Sequence, residues 1–206
     1  AALLRRCLRG RDVPSEPAAP GDGAADYCLL PYRGLPPEPA TAPPSLLPWD
    51  ELCRLAPATA AYFASQRAAL ERRERGRFAG AGFYQLGRPQ NLRFLLDEAP
   101  KVVIPDVAAR GRAMLDRGSF VLDSAYAVRP HPRAAAPWHR PALLLALLRS
   151  PLVRLWLDMV GVPLRGGYFR MKTAFLAPMP LPPASAAELL AAAAEASEAG
   201  AAAEAD

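Results

Sequence analysis

The run Lys101-Val-Val-Ile-Pro105 follows directly on Pro100, and this β-branched segment fenced by prolines constrains the fold more than any other. Val and Ile are stiff about χ1 and pack well on a pleated surface, whereas proline brings no N–H to a ladder. The run therefore predicts a short strand whose ends are marked. Just upstream, Phe83-Tyr-Gln-Leu-Gly-Arg-Pro-Gln-Asn91 predicts an aromatic strand over Gly82–Leu86, then a polar loop. Further β signals at Ser119–Asp123 and Tyr126–Val128 are separated by Gly, Pro and Asp turns, so residues 77–130 read as β-rich.

Helical patterns flank this region. Between Pro57 and Arg75, Ala61, Ala64, Ala68 and Leu70 lie near one face, Glu71 and Arg75 stand in the favourable i, i+4 order, and Gly76 is a natural stop. Ser45–Arg54 predicts a helical turn or two around Trp49, and Tyr27–Tyr32 predicts a single short strand. Pro141 opens a helix carrying Leu143–Leu148. Ser150-Pro151 then reads as an N-cap with a first-turn proline restarting a helix that Gly161 ends. Gly166-Gly167 feeds a strand over Tyr168–Lys172. The expected class is α+β: a small twisted mixed sheet at 77–130 and 167–172, supported by helices at 57–75 and 141–160. Residues 1–183 read as one domain and 184–206 as an Ala/Glu-rich acidic tail, a solvated helix or a disordered run.

Charge is unevenly placed. Glu188, Glu195, Glu198, Glu204 and Asp206 give the tail −5, so the body, with 25 basic against 15 acidic residues, carries +10. A basic body suits a polyanion, because neutralised phosphates release counterions. Arginine number alone is a weak sign of this, since 23 arginines against two lysines, with abundant Ala and 24 prolines, is also what GC-rich coding writes. Cys7, Cys28 and Cys53 are odd in number and lack a Cys-x-x-Cys pair, which argues against a disulfide framework and a zinc site and fits a reducing cytoplasm. The first eleven residues hold four arginines and no apolar core, unlike a signal peptide, and Pro141–Leu148 falls far short of the ~20 residues a membrane span needs. The expectation is a cytoplasmic protein with no membrane partner. Because the chain begins at Ala1, we expect it to continue a longer reading frame.

Enzyme signatures fail on inspection. Gly80-x-Gly82 lacks the third glycine of a dinucleotide loop, since position 85 is Gln. Pro105-Asp106 resembles the start of a nuclease metal motif, but no acid-x-lysine follows. His131 and His139 are solvated loop residues more readily than metal ligands, and no Gly-x-Ser-x-Gly elbow exists. No catalytic or metal residue is assigned.

Binding chemistry is better represented. Arg88, Gln90 and Asn91 belong to the types that grip a purine edge with two hydrogen bonds, and Arg93 follows them. The alternative is a polar hairpin loop whose arginine braces backbone carbonyls. In a strand over Tyr168–Lys172, Tyr168, Arg170 and Lys172 share one face while Phe169 and Met171 turn to the core, as a groove-facing or simply a solvated strand requires. Arg88, Gln90, Asn91, Tyr168 and Arg170 are the base-reading candidates. Arg93, Lys101, Arg110, Arg112, Arg165 and Lys172 are the phosphate candidates, with Arg110 and Arg112 placed on a flexible loop about Gly111.

From about residue 3 to 183 the order of these segments resembles the TaqI-like C-terminal specificity domain, the target-recognition half of adenine-specific DNA methyltransferases, including fused type IIG restriction–modification enzymes. Leu8-Arg-Gly-Arg-Asp-Val13 is similar to the family's opening motif, and Tyr27–Tyr32 to its first strand. Tyr62–Arg73 resembles its helix, Phe83–Asn91 its aromatic-Tyr-x-x-x-Arg signature, and Pro100–Pro105 the strand that follows. Gly166–Lys172 and Leu176–Pro182 resemble its closing strand and proline exit, and Arg149 stands where the family has an asparagine. The resemblance implies a clamp that holds double-stranded DNA and reads its sequence for a catalytic domain. That partner domain, N-terminal or a separate chain, would bind S-adenosylmethionine and flip adenine out for methylation. Each Pro-Pro pair here lacks the preceding Asn and following aromatic of the catalytic motif, so no methyl transfer and no bound cofactor are assigned to these residues. The rival readings are a divergent methyltransferase or nuclease active by itself, and a protein-interaction scaffold.

Overall fold

A computed structural model describes residues 3–15, 26–87, 90–121, 124–134 and 136–192. Strands and helices come in runs along the chain, and the class is α+β. The strands do not gather into one sheet. Three three-stranded sheets form, ordered Asp26–Leu29/Leu4–Leu8/Phe120–Val121, Met114–Asp116/Lys101–Pro105/Ala125–Val128, and Pro163–Leu164/Tyr168–Arg170/Val107–Ala108, beside a ribbon of Tyr32–Arg33 with Ser45–Leu46. Each pair whose register is described is antiparallel, in place of the expected mixed sheet. No strand exceeds five residues among those described, because prolines and glycines interrupt each ladder soon after it starts.

The chain divides into two compact units where the sequence suggests one domain. The first comprises Ala1–Arg6, Asp26–Glu98 and Gly118–Phe120, and its helices are Trp49–Leu55, Pro57–Ser65, Arg67–Glu71 and Leu92–Leu96. Tyr27–Tyr32 is split at Pro31, so that Tyr32 pairs with Leu46 instead of extending the Asp26–Leu29 strand. The expected helix over Pro57–Arg75 ends early, in a 3-10 turn at Arg73–Gly76 where Glu74 and Arg75 are left-handed (φ 45° and 61°). The expected Glu71–Arg75 pair is therefore absent, and Glu71 meets Arg67 at 2.9 Å.

Gly82–Leu86, expected as a strand, is a succession of turns, with Phe83 N–H donating to Gly80 O and Gln85 N–H to Gly82 O. Two features explain the difference. Gly76 and Gly80 take positive φ (86° and 97°), which turns the chain tightly. The Arg73 guanidinium then donates to the carbonyls of Phe83 and Gln85 at 2.7 and 2.9 Å, occupying acceptors a neighbouring strand would use. Freed from period-2 alternation, Phe83 and Tyr84 are both buried and pack on Trp49, each with ring centroids 5.2 Å from it.

The second unit comprises Cys7–Ala25, Ala99–Arg117 and Val121–Asp206. Lys101–Pro105 forms as expected, is buried throughout, and lies between its two partner strands. Helices Pro141–Arg149 and Pro151–Val160 each open on proline, and supply Leu145, Leu148, Val153 and Leu157 to a core with Val102, Ile104, Phe169 and Met171. The Ser150 hydroxyl donates backward to Leu147 O at 2.7 Å, so it closes the first helix and leaves the second without the expected side-chain cap. Residues 184–192 are helical, and the segment expected as a solvated tail begins packed: Ala187 is fully buried with Trp138, Leu143 and Leu147. The rest of the acidic tail lies outside the described residues. Among those described, no helix is long and apolar enough to cross a membrane.

Candidate nucleic-acid interface

The hairpin Pro163–Arg170 presents three exposed candidate residues, Arg165, Tyr168 and Arg170. Gly166 and Gly167 turn the chain at φ 80° and 76°, values that favour glycine, and return it as Tyr168–Arg170. Phe169 and Met171 are buried, whereas Tyr168, Arg170 and Lys172 are exposed, so the expected alternation holds beyond the strand's last residue. Arg165 is exposed on the turn.

Two residues that the sequence did not single out as binding groups hold this hairpin. Arg154, on the Pro151–Val160 helix, donates to Ala109 O at 2.7 Å and to Gly167 O at 3.1 Å, meets Asp158, and lies 4.7 Å from the Phe169 ring centroid. Asp106, the acid of the incomplete nuclease-like pair Pro105-Asp106, is the junction of two sheets. Its N–H donates to Ser124 O and its carbonyl accepts from Met171 N–H, both at 2.8 Å. Its carboxylate accepts from the Tyr126 hydroxyl at 2.9 Å and from Arg170 Nη1 at 3.2 Å. Burial first, then the hydrogen bond to Asp106 and its charge, push the Tyr126 hydroxyl above the usual phenol range, which keeps it a donor. The i, i+4 spacing of Arg154 and Asp158 was legible in sequence. The reach of Arg154 to the glycine turn was not.

Several phosphate candidates prove to be scaffold. Lys101 is wholly buried with Nζ 2.7 Å from Asp116 Oδ2, directly across the ladder from it. The β-branched strand that made its backbone legible also carries its side chain inside. Arg93 donates to the carbonyls of Gly34 and Glu38, which is the bracing alternative. Arg112 donates to Val13 O, and Gly111 lies close against the Leu148 carbonyl: a Cβ there would stand 2.3 Å from Leu148 O. Arg149, at the position where the resembled family has asparagine, donates to Ala113 O at 2.9 Å. Arg110 is exposed.

The first cluster fares less well than the second. Gln90 and Asn91 are exposed, with Asn91 left-handed (φ 53°) at the start of Leu92–Leu96. Arg88 lies outside the described residues. Phe83 and Tyr84, expected beside the loop, are core. Among the candidates, Arg165, Tyr168, Arg170 and Lys172 share one hairpin. No protein-family model matches the chain, and no curated protein matches it.

Proposed function

We propose that this chain is a double-stranded DNA recognition module, acting as the specificity domain of an adenine-specific DNA methyltransferase whose catalytic half lies on another domain or chain. The observation that carries the reading is the Arg165–Lys172 segment, which exposes Arg165 on the turn, Tyr168 and Arg170 on the strand and Lys172 just after it, while Phe169 and Met171 are anchored in the core. Exposed guanidinium and ammonium groups fixed on a rigid strand supply phosphate affinity, and a planar guanidinium can also read a base edge. The order of motifs resembling the TaqI-like specificity domain supports the same reading. S-adenosylmethionine belongs to the proposed partner.

Fluorescence anisotropy with labelled duplexes between 50 and 200 mM salt tests it. Binding that weakens steeply with salt is expected, with Lys172→Ala lowering the logarithmic salt slope by about one. Absence of duplex binding in dilute buffer overturns the proposal. Titration with S-adenosylmethionine separates the rival enzyme reading: the proposal expects no heat from this chain alone.

A further inference from the structure

We infer that Asp106 is a positioning residue that aims Arg170 at a guanine, so that the pair, and not Arg170 by itself, determines one base of the recognised sequence. The inference rests on the DNA-recognition reading and deepens it. A guanidinium has two edges able to make paired parallel hydrogen bonds. Asp106 Oδ2 takes Nη1 at 3.2 Å, which leaves the Nε–H and Nη2–H edge with no bond to a described residue. That remaining edge matches O6 and N7 of guanine in the major groove, the commonest bidentate contact of arginine.

The holder is itself held. Asp106 is fixed through its N–H, its carbonyl and its second carboxylate oxygen by Ser124, Met171 and Tyr126. Its side chain is 22% exposed against 46% for Arg170, so the acid sits back and the arginine forward. An unbraced arginine on a solvated strand samples many rotamers and settles on phosphate or base alike. One tethered at Nη1 loses much of that freedom before binding, which favours the contact that fits its remaining edge. The carboxylate beside it also repels phosphate, so Asp106 lowers general affinity while raising discrimination.

Selection from a randomised duplex library with the full chain tests this directly, comparing wild type with Asp106→Asn and Arg170→Lys. Wild type is expected to enrich sites with one G·C pair fixed in orientation. Asp106→Asn should lose about tenfold of that preference, in line with one bidentate contact, while its affinity for unselected duplex stays level or rises. Arg170→Lys should lose the same preference. Should Asp106→Asn not fold, Tyr126→Phe loosens the same carboxylate and is expected to reduce the same preference. A variant that keeps the G preference, or that weakens all sequences alike, overturns the inference and leaves DNA recognition standing. Failure of wild type to retain any duplex overturns both.

Discussion

At the scale of the residue, Lys101 separates charge that binds from charge that builds. Its ammonium is paired with Asp116 out of contact with water, and breaking such a buried pair by removing one partner costs about 3–5 kcal/mol. Lys101→Met alone should therefore lower stability to urea by that amount. Lys101→Met with Asp116→Leu replaces the pair by apolar groups and should recover most of it, because the desolvation cost of both ions disappears together. Duplex affinity of the double variant is expected to match wild type, whereas a phosphate contact would have lost it. Unfolding curves and anisotropy on the same preparations check both halves. Nothing in the sequence around Lys101 distinguishes these fates. Its burial follows from a partner fifteen positions away across the Lys101–Asp116 register, and pairing register is not written in local pattern.

At the scale of the element, the Tyr168–Arg170 strand depends on Arg154, a neighbour it meets only through folding. Arg154→Ala removes charge-assisted bonds to Ala109 O and Gly167 O and the contact with the Phe169 ring, and is expected to cost about 1.5–3 kcal/mol. Because the glycine turn then loses its tether, duplex affinity should fall as well, although Arg154 is no proposed DNA contact. Arg154→Lys should recover little of either, since one ammonium cannot span the two carbonyls and the ring as a planar fork does. Denaturant titration paired with a binding isotherm reads the outcome. Elements whose signals are local were legible in the sequence: Lys101–Pro105 from β-branching and its flanking proline, and the helices at Pro141 and Pro151 from their opening prolines. Phe83-Tyr84 reads as a strand because an aromatic pair is strand-like in composition, whereas both rings are buried from a succession of turns. The deciding event, Arg73 taking two backbone carbonyls ten and twelve residues away, is tertiary. The hairpin face at Tyr168–Lys172 was legible because alternation and a Gly-Gly turn are both local, while its support by Asp106 and Arg154 was not.

At the scale of the whole molecule, the acidic tail and the basic body set a test between DNA recognition and a protein-docking scaffold, and the fold dictates where to cut. Removing 184–206 would strip Ala187 and Leu190 from the cluster around Trp138, Leu143 and Leu147. It should therefore lower stability by about 2 kcal/mol, roughly the burial of one leucine-sized side chain, whatever the tail does. Removing 193–206 spares that packing, deletes Glu195, Glu198, Glu204 and Asp206, and takes the formal net charge from +5 to +9. If the body grips phosphate, those four carboxylates oppose it by repulsion, which is screened within about 8 Å at physiological ionic strength. The shorter truncation is then expected to bind duplex more tightly at 50 mM salt and nearly equally at 200 mM. A scaffold that docks its partner through the tail would instead lose function in the shorter truncation while duplex binding stayed negligible in both proteins. Parallel salt titrations of the two proteins decide between these outcomes.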